Sequence, residues 1–280
     1  MIPDELITSV REGQTLLFAG AGLSMGLKLP SWAELIAHLA SELGYDAEVF
    51  QALGDNLQLA EFYKIKKTSL GALRSWLDRK WHEDESQVDA SRSHQAIINL
   101  KFPTIYTTNY DRWLEIAFDR RKIKRVKIAN VGDFAQDRRE AVEIVKLHGD
   151  FDDDESLVLT EESYFERLSF ESPLDLKLRA DIIGKSVLFI GYGMADVNVR
   201  YLWYKLHKLW EYSEYSANRP RSYVFLGRPN AVSEAILTAR GLTPISAESD
   251  DPGEALSTFL EELALKAFGV KLPVSTLGSV

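Results

Sequence analysis

Four short stretches of this sequence carry the residue types that reaction chemistry needs: Gly20-Ala21-Gly22-Leu23-Ser24, Thr108-Asn109-Tyr110-Asp111, His148-Gly149-Asp150 and Gly191-Tyr192-Gly193. Glycines at 20 and 22 let a backbone approach a diphosphate closely and turn amides toward it, and the Ser24 hydroxyl can add a hydrogen bond. The imidazole of His148 can accept a proton from a hydroxyl or a water near neutral pH. Each stretch also has a plainer reading on its own: a tight turn, a packed histidine, or, for Asn109 and Asp111, a turn residue and a helix cap. The glycine turn by itself is weak as a nucleotide signal. Its third glycine is Gly26, one residue late for G-x-G-x-x-G, and no strand with a terminal acid follows at the usual distance, which disfavours an ordinary dehydrogenase.

What gives the stretches weight is what precedes them. Leu16–Ala19, Thr104–Thr107, Ile144–Leu147, Val187–Ile190 and Tyr223–Leu226 are short apolar, β-branched or aromatic runs that read as buried strands. Each of the first four ends where a chemistry-bearing stretch begins, and Gly227 follows the fifth. Segments of helical period lie between them, so the fold class is α/β, with a parallel sheet covered on both faces. In such a sheet ligands bind outside the carboxyl ends of the strands, which would gather all these residues at one site.

From Ser31 to about Leu100 the pattern is helical without a convincing strand, which predicts a helical insert. Its first helix starts at a capping box, Ser31 with Glu34, and stops at Gly44. A smaller insert runs from Glu161 to about Ile183, and Leu242–Ser246 and Gly253–Phe268 read as an edge strand and a closing helix. The basic segment Arg120–Lys127 reads as a solvated helix end, and the acidic run after His148 as a solvated loop. The whole is expected to be one domain over 1–270, with a core of about 1–30 and 101–270, an insert of about 31–100 and a tail at 271–280.

Composition narrows the chemistry. The chain has 280 residues and no cysteine, which excludes disulfides, thiolate nucleophiles and cysteine-based zinc sites. A net charge of -9 gives no field attractive to nucleic acid, and no direct nucleic-acid binding is expected. No stretch reads as a membrane span or a secretory signal, so the expected location is the cytoplasm. No metal is predicted.

Taken together, Gly20-Ala-Gly-Leu-Ser24, Thr107-Thr-Asn-Tyr-Asp111 and Lys146-Leu-His-Gly149 resemble the sirtuin superfamily, specifically the SIR2-like domains of prokaryotic anti-phage defence. Leu157–Phe165 and Leu188–Val199 look like further segments of that group. The resemblance implies a Rossmann-like, sirtuin/DHS-like NAD-binding fold and an NAD+ hydrolase that cleaves the nicotinamide–ribose bond. Deacetylating sirtuins carry a four-cysteine zinc module that this sequence lacks, which sets deacetylation aside and leaves the helical insert above the cofactor. By position in the motif, Asn109 would hold the ribose or the attacking water, Asp111 the nicotinamide carboxamide, and His148 would be the general base. Gly20, Ala21, Gly22 and Ser24 would hold phosphates. Thr108, Gly191 and Tyr192 would line the cofactor site, and Asp196 would contact the adenosine side or cap a helix. Neither Asn109 nor His148 looks necessary for packing.

An unregulated NAD hydrolase would exhaust its own cell, so the resemblance also implies gating, by homo-oligomerisation or by a separately encoded subunit such as an ATPase, a short Argonaute-type protein or a nucleotide sensor. The helix after Asp196 is expected to bury Val199, Leu202, Leu206 and Leu209 and to show Tyr201, Tyr204 and Tyr212, an aromatic excess that suits an interface. The alternative from another class is a non-catalytic module that binds NAD or ADP-ribose as a signal. A serine hydrolase built on Ser24 lacks the G-x-S-x-G elbow. ADP-ribosyl transfer or residual deacylation would share the early bond-breaking step.

Overall fold

A computed structural model describes residues 1–27, 31–153, 156–192 and 197–270. Helix α1 (Asp4–Arg11) leads into strand β1 (Thr15–Ala19), and a stretch of six helices follows: α2 (Trp32–Leu43), α3 (Ala47–Gln51), α4 (Asn56–Lys67), α5 (Gly71–Trp81), α6 (Gln87–Ala90) and α7 (Arg92–Leu100). The chain continues through β2 (Thr104–Thr107), α8 (Trp113–Arg120), β3 (Arg125–Ile128) and β4 (Val142–Lys146). After these come α9 (Glu161–Arg167), α10 (Pro173–Gly184), β5 (Ser186–Ile190), α11 (Val197–Glu211), β6 (Ser222–Leu226), α12 (Ala231–Ala239), β7 (Leu242–Ser246) and α13 (Pro252–Phe268). Between residues 31 and 100 no described residue is in a strand, as the sequence pattern predicts.

The seven strands form one parallel sheet in the order β3-β4-β2-β1-β5-β6-β7. Strand β1 is the pivot. The chain builds outward from it on one side through β2, β4 and β3, then crosses and builds the other side from β5. Because side chains alternate along a strand, the inner strands each feed two cores. Leu17, Ile105, Ile144 and Leu188 pack under α1, α7 and α13, whereas Phe18, Tyr106, Val145 and Phe189 pack under α10 and α11. A third core belongs to the helical insert, where Ile36, Leu39, Phe50, Tyr63 and Leu73 meet Phe151, Leu157 and Leu159 from the segment after His148. The insert therefore sits on the loops at the carboxyl ends of β2 and β4.

Local rules explain the boundaries. Ser31 caps α2, its hydroxyl accepting from the Glu34 amide while the Glu34 carboxylate accepts from the Ser31 amide, and Gly44 ends the helix. Two expectations need correction. The basic segment read as a solvated helix end contains edge strand β3, in which Val126 and Ile128 are buried while Arg125 and Lys127 alternate with them. The acidic run after His148 is not wholly solvated either. Asp150 is buried and ion-paired to Lys127 at 2.5 Å, and Asp152 pairs with the same lysine. Asp196, expected at the adenosine side, and the tail at 271–280 lie outside the described residues.

Candidate active site at the carboxyl ends of β1, β2, β4 and β5

The turns after β1 and β5 close on each other. The amides of Gly20 and Gly22 donate to the carbonyls of Ile190 and Gly191, each at 2.9 Å. A side chain on Gly22 would meet the Gly191 backbone at 2.8 Å, and one on Gly20 would meet Gly191 and the Tyr192 ring. The close approach that demands glycine here is thus between two turns of the chain. The amides of Leu23 and Ser24 donate to the Gly20 and Ala21 carbonyls, so four amides of the β1 turn are engaged within the protein. Ala21 is exposed at the crest of the turn.

The turn after β2 is tied to the same place. Thr107 donates its hydroxyl to the Ala19 carbonyl at 2.7 Å and accepts from the Asn109 amide at 3.0 Å. The Asn109 carboxamide nitrogen donates to the Gly20 carbonyl at 3.1 Å, and the hydroxyls of Thr108 and Tyr192 lie 2.7 Å apart. Tyr192 is itself set edge-on against Phe18. Asn109, Thr108, Gly20, Gly22, Gly191 and Tyr192 thus form one connected cluster across β2, β1 and β5.

Asp111 is buried. It accepts from the Trp113 amide at 3.1 Å, and Ser24 beside it is buried as well. Burial pushes the Asp111 carboxyl above the usual carboxylate range, against the opposing pull of Lys146.

His148 follows β4 and is 3% exposed. Its ring meets Tyr164 edge-on at 5.3 Å and lies 6.4 Å from the Tyr110 ring. The expectation that His148 has no packing role is corrected by this burial. Desolvation holds its pKa down to about 3, with the charge of Arg167 acting in the same direction, so the imidazole is neutral across the physiological range. Beyond it, Gly149 has φ +83°, and a Cβ there would lie 2.0 Å from the Ser156 carbonyl. Gly149→Ala combines a left-handed backbone with a collision against main chain and should cost about 3 kcal/mol or more of stability. Urea unfolding measures this, and a loss under about 1 kcal/mol would mean that Gly149 does not approach the Ser156 carbonyl this closely.

Two residues in the surroundings escaped sequence reasoning. Lys146, wholly buried, donates to the carbonyls of Tyr110 and Asp111. His82, at the end of α5, accepts the Arg112 amide at Nε2 (2.8 Å) and turns Nδ1 to Asp78 (2.9 Å), which fixes its tautomer. The signal for Lys146 was a charge inside an apolar strand run. For His82 no local pattern existed. A cleft of about 350 Å³ adjoins the His148 segment, lined by Asn130, Leu147, Val158, Arg167 and Asp175, with Arg167 paired to Asp175 at 2.6 Å.

The chain matches the model of the SIR2-like domain over residues 103–245. It is 32% identical over 207 residues to a Bacillus cereus (strain MSX-D12) protein named NAD(+) hydrolase ThsA, covering 72% of this chain and 42% of that protein. An Enterococcus faecium protein of the same name is 33% identical over 68% of this chain and 39% of its own length. Defense-associated sirtuin 2 of Bacillus subtilis is 29% identical over 73% of this chain and 20% of its own. The chain thus spans about two fifths of the length of the two hydrolases. The parallel sheet pivoting on β1, the joined turns after β1, β2 and β5, and the family match over 103–245 together place this chain in the SIR2-like domain family.

Proposed function

We propose that this chain is an NAD+ hydrolase that cleaves the nicotinamide–ribose bond. The observation that carries the reading is the convergence of Asn109, the glycine turns and a neutral, buried His148 at adjoining strand ends, in a chain whose relatives are named NAD(+) hydrolase. NAD+ is bound as the substrate, and no metal takes part.

In the reaction the N-glycosidic bond breaks, its electron pair stays with the departing nicotinamide nitrogen and quenches the pyridinium charge, and positive charge grows on the ribose. Water adds at the anomeric carbon to give ADP-ribose. His148, neutral and desolvated, accepts the proton that this water loses and passes it to solvent. Asn109, already anchored to the Gly20 carbonyl, orients the ribose or the water. Asp111, its carboxyl raised by burial, meets the nicotinamide carboxamide. The diphosphate lies against the crest of the Gly20–Ser24 turn at Ala21, with Thr108, Gly191 and Tyr192 as the adjoining wall. Asp196 serves the adenosine side.

Residues 1–270 work as one catalytic unit, with the helices of 31–100 covering the site. No described helix is long and apolar enough to cross a membrane, and the reading places the protein in the cytoplasm as a gated anti-phage effector. Tyr201, Tyr204 and Tyr212 on or just after α11 are exposed, with Lys205 and Lys208 over their rings, which suits self-association or a separately encoded sensor subunit. The buried partners expected opposite them reduce to Leu206, because the side chains of Val199, Leu202 and Leu209 lie outside the described residues.

Chromatography after incubation with NAD+ tests the reading. Equimolar nicotinamide and ADP-ribose are expected from the wild-type chain. If NAD+ binds yet no nicotinamide is released, alone or with co-expressed neighbouring gene products, the hydrolase reading fails.

A further inference from the structure

Lys146 is the last residue of β4, two before His148, and its register partner is Thr107, the last residue of β2. It stands opposite the start of the turn that carries Asn109. Its ammonium is wholly shielded from solvent and is ringed by oxygens. The Asp111 carbonyl lies at 2.7 Å, the Tyr110 carbonyl at 2.9 Å, the Glu115 carboxylate at 3.2 Å and the Asp150 carboxylate at 3.5 Å. Glu115 and Asp150 are buried too, and Asp150 is held from its other side by Lys127. An ammonium is costly to bury, and a lone backbone contact would not hold it there. Here two carboxylates supply the countercharge and two carbonyls use the remaining donor capacity. Those carbonyls belong to the two residues after Asn109.

We infer that Lys146 is a positioning residue, which fixes the Asn109–Asp111 turn of β2 against the end of β4 and so sets Asn109 relative to His148. For its effect on turnover the inference rests on the NAD-cleavage reading above. Its structural content does not. The two strands pair through residues 104–107 and 143–146, and the Leu147 amide adds one last bond to the Thr107 carbonyl at 2.8 Å. Past Thr107, Lys146 bonds the main chain of the β2 turn directly to β4, beside the Tyr110 hydroxyl, which donates to the Val158 carbonyl. The amide of Asn109 is held by Thr107 and its side chain by the Gly20 carbonyl, so Asn109 reaches β4 through its neighbours, Thr107 on one side and the Lys146-bound carbonyls of Tyr110 and Asp111 on the other.

The test uses Lys146→Met, and beside it Lys146→Met/Glu115→Gln, which removes the Glu115 charge that the first substitution would strand, while Asp150 keeps Lys127. Hydrogen exchange followed by mass spectrometry reads the turn directly. The peptide over 107–113 should exchange about tenfold faster or more in both variants, while peptides from β1 and β5 keep wild-type protection. NAD+ turnover should fall about 100-fold in kcat with KM within about threefold, because a turn displaced by about 1 Å still binds but misplaces Asn109. Wild-type exchange over 107–113 in both variants overturns the inference. So does acceleration spread evenly over the whole sheet, with kcat per folded molecule unchanged, because that is what a merely structural lysine would produce. If the wild-type chain releases no nicotinamide, the hydrolase reading fails while the exchange result still decides the role of Lys146.

Discussion

His148→Ala should lower kcat for NAD+ cleavage about 10²- to 10⁴-fold, the range expected when a positioned general base is removed. Asn109→Ala should fall in the same range, since orientation of the reacting groups is worth as much. The two variants need different controls. Asn109 is half-buried and its loss leaves the Gly20 carbonyl without one donor. His148 is buried against Tyr164, so alanine opens a cavity costing about 2–4 kcal/mol, and His148→Phe, which refills the space without a base, should be equally inactive and more stable. Nicotinamide release per folded molecule is the readout, and near wild-type release by His148→Phe would remove the imidazole from the mechanism. The wild-type pH profile checks the same assignment. With its pKa at about 3, the imidazole stays neutral from pH 8 down to pH 5, so kcat/KM should be flat there. An acid limb centred near 6.5, the free histidine value, would mean that the working imidazole is solvated.

The same burial has a stability consequence. His94 on α7 is fully shielded, its Nδ1 lies 2.7 Å from the Ser91 hydroxyl, and desolvation holds its pKa at about 3, as it does for His148. Both folded values are depressed below the unfolded one. As pH falls below about 6.5 the unfolded chain takes up two protons that the folded chain refuses, so stability is lost from pH 7 downward and the loss stops only near pH 3. Between pH 7 and pH 5 the two histidines together should remove about 4 kcal/mol, and His38 and His207, also lowered by burial, add in the same direction. Urea unfolding at pH 7, 6 and 5 measures this. His94→Leu should shrink the pH dependence by roughly half of the two-histidine share. A free energy of unfolding constant over that interval would show that these imidazoles are protonated in the folded state.

Much of this architecture is legible from strand patterning. Thr104–Thr107 and Leu242–Ser246 coincide with the observed strands, and the other four runs fall within one or two residues of theirs. Strands β1, β2, β5 and β6 are buried on both faces, so composition alone marks them. Strand β3 was hidden because, at the edge of the sheet, Arg125 and Lys127 interrupt its apolar residues and charge masks a period of two. The site was legible as far as glycine turns and strand ends go. Hydrogen-bond partners were not. Ser24 fits a phosphate donor in sequence, and its burial beside Asp111 depends on turns that only the fold brings together. Likewise His82, some thirty residues before the amide it caps, depends on how the insert docks, which no local spacing encodes.

The contact between Gly22 and Gly191 joins residues 169 positions apart, and it makes synthesis itself a safeguard. A nascent chain emerging from the ribosome has made Asn109 and His148 well before it has made the turn against which the first glycines close. Pairing of β1 with β5 is the most non-local step available to the sheet around that turn, and such closures come late in folding. Whatever the completed site does to its ligand, an arrested or truncated fragment ending before β5 holds both polar side chains and cannot assemble the cleft that would use them.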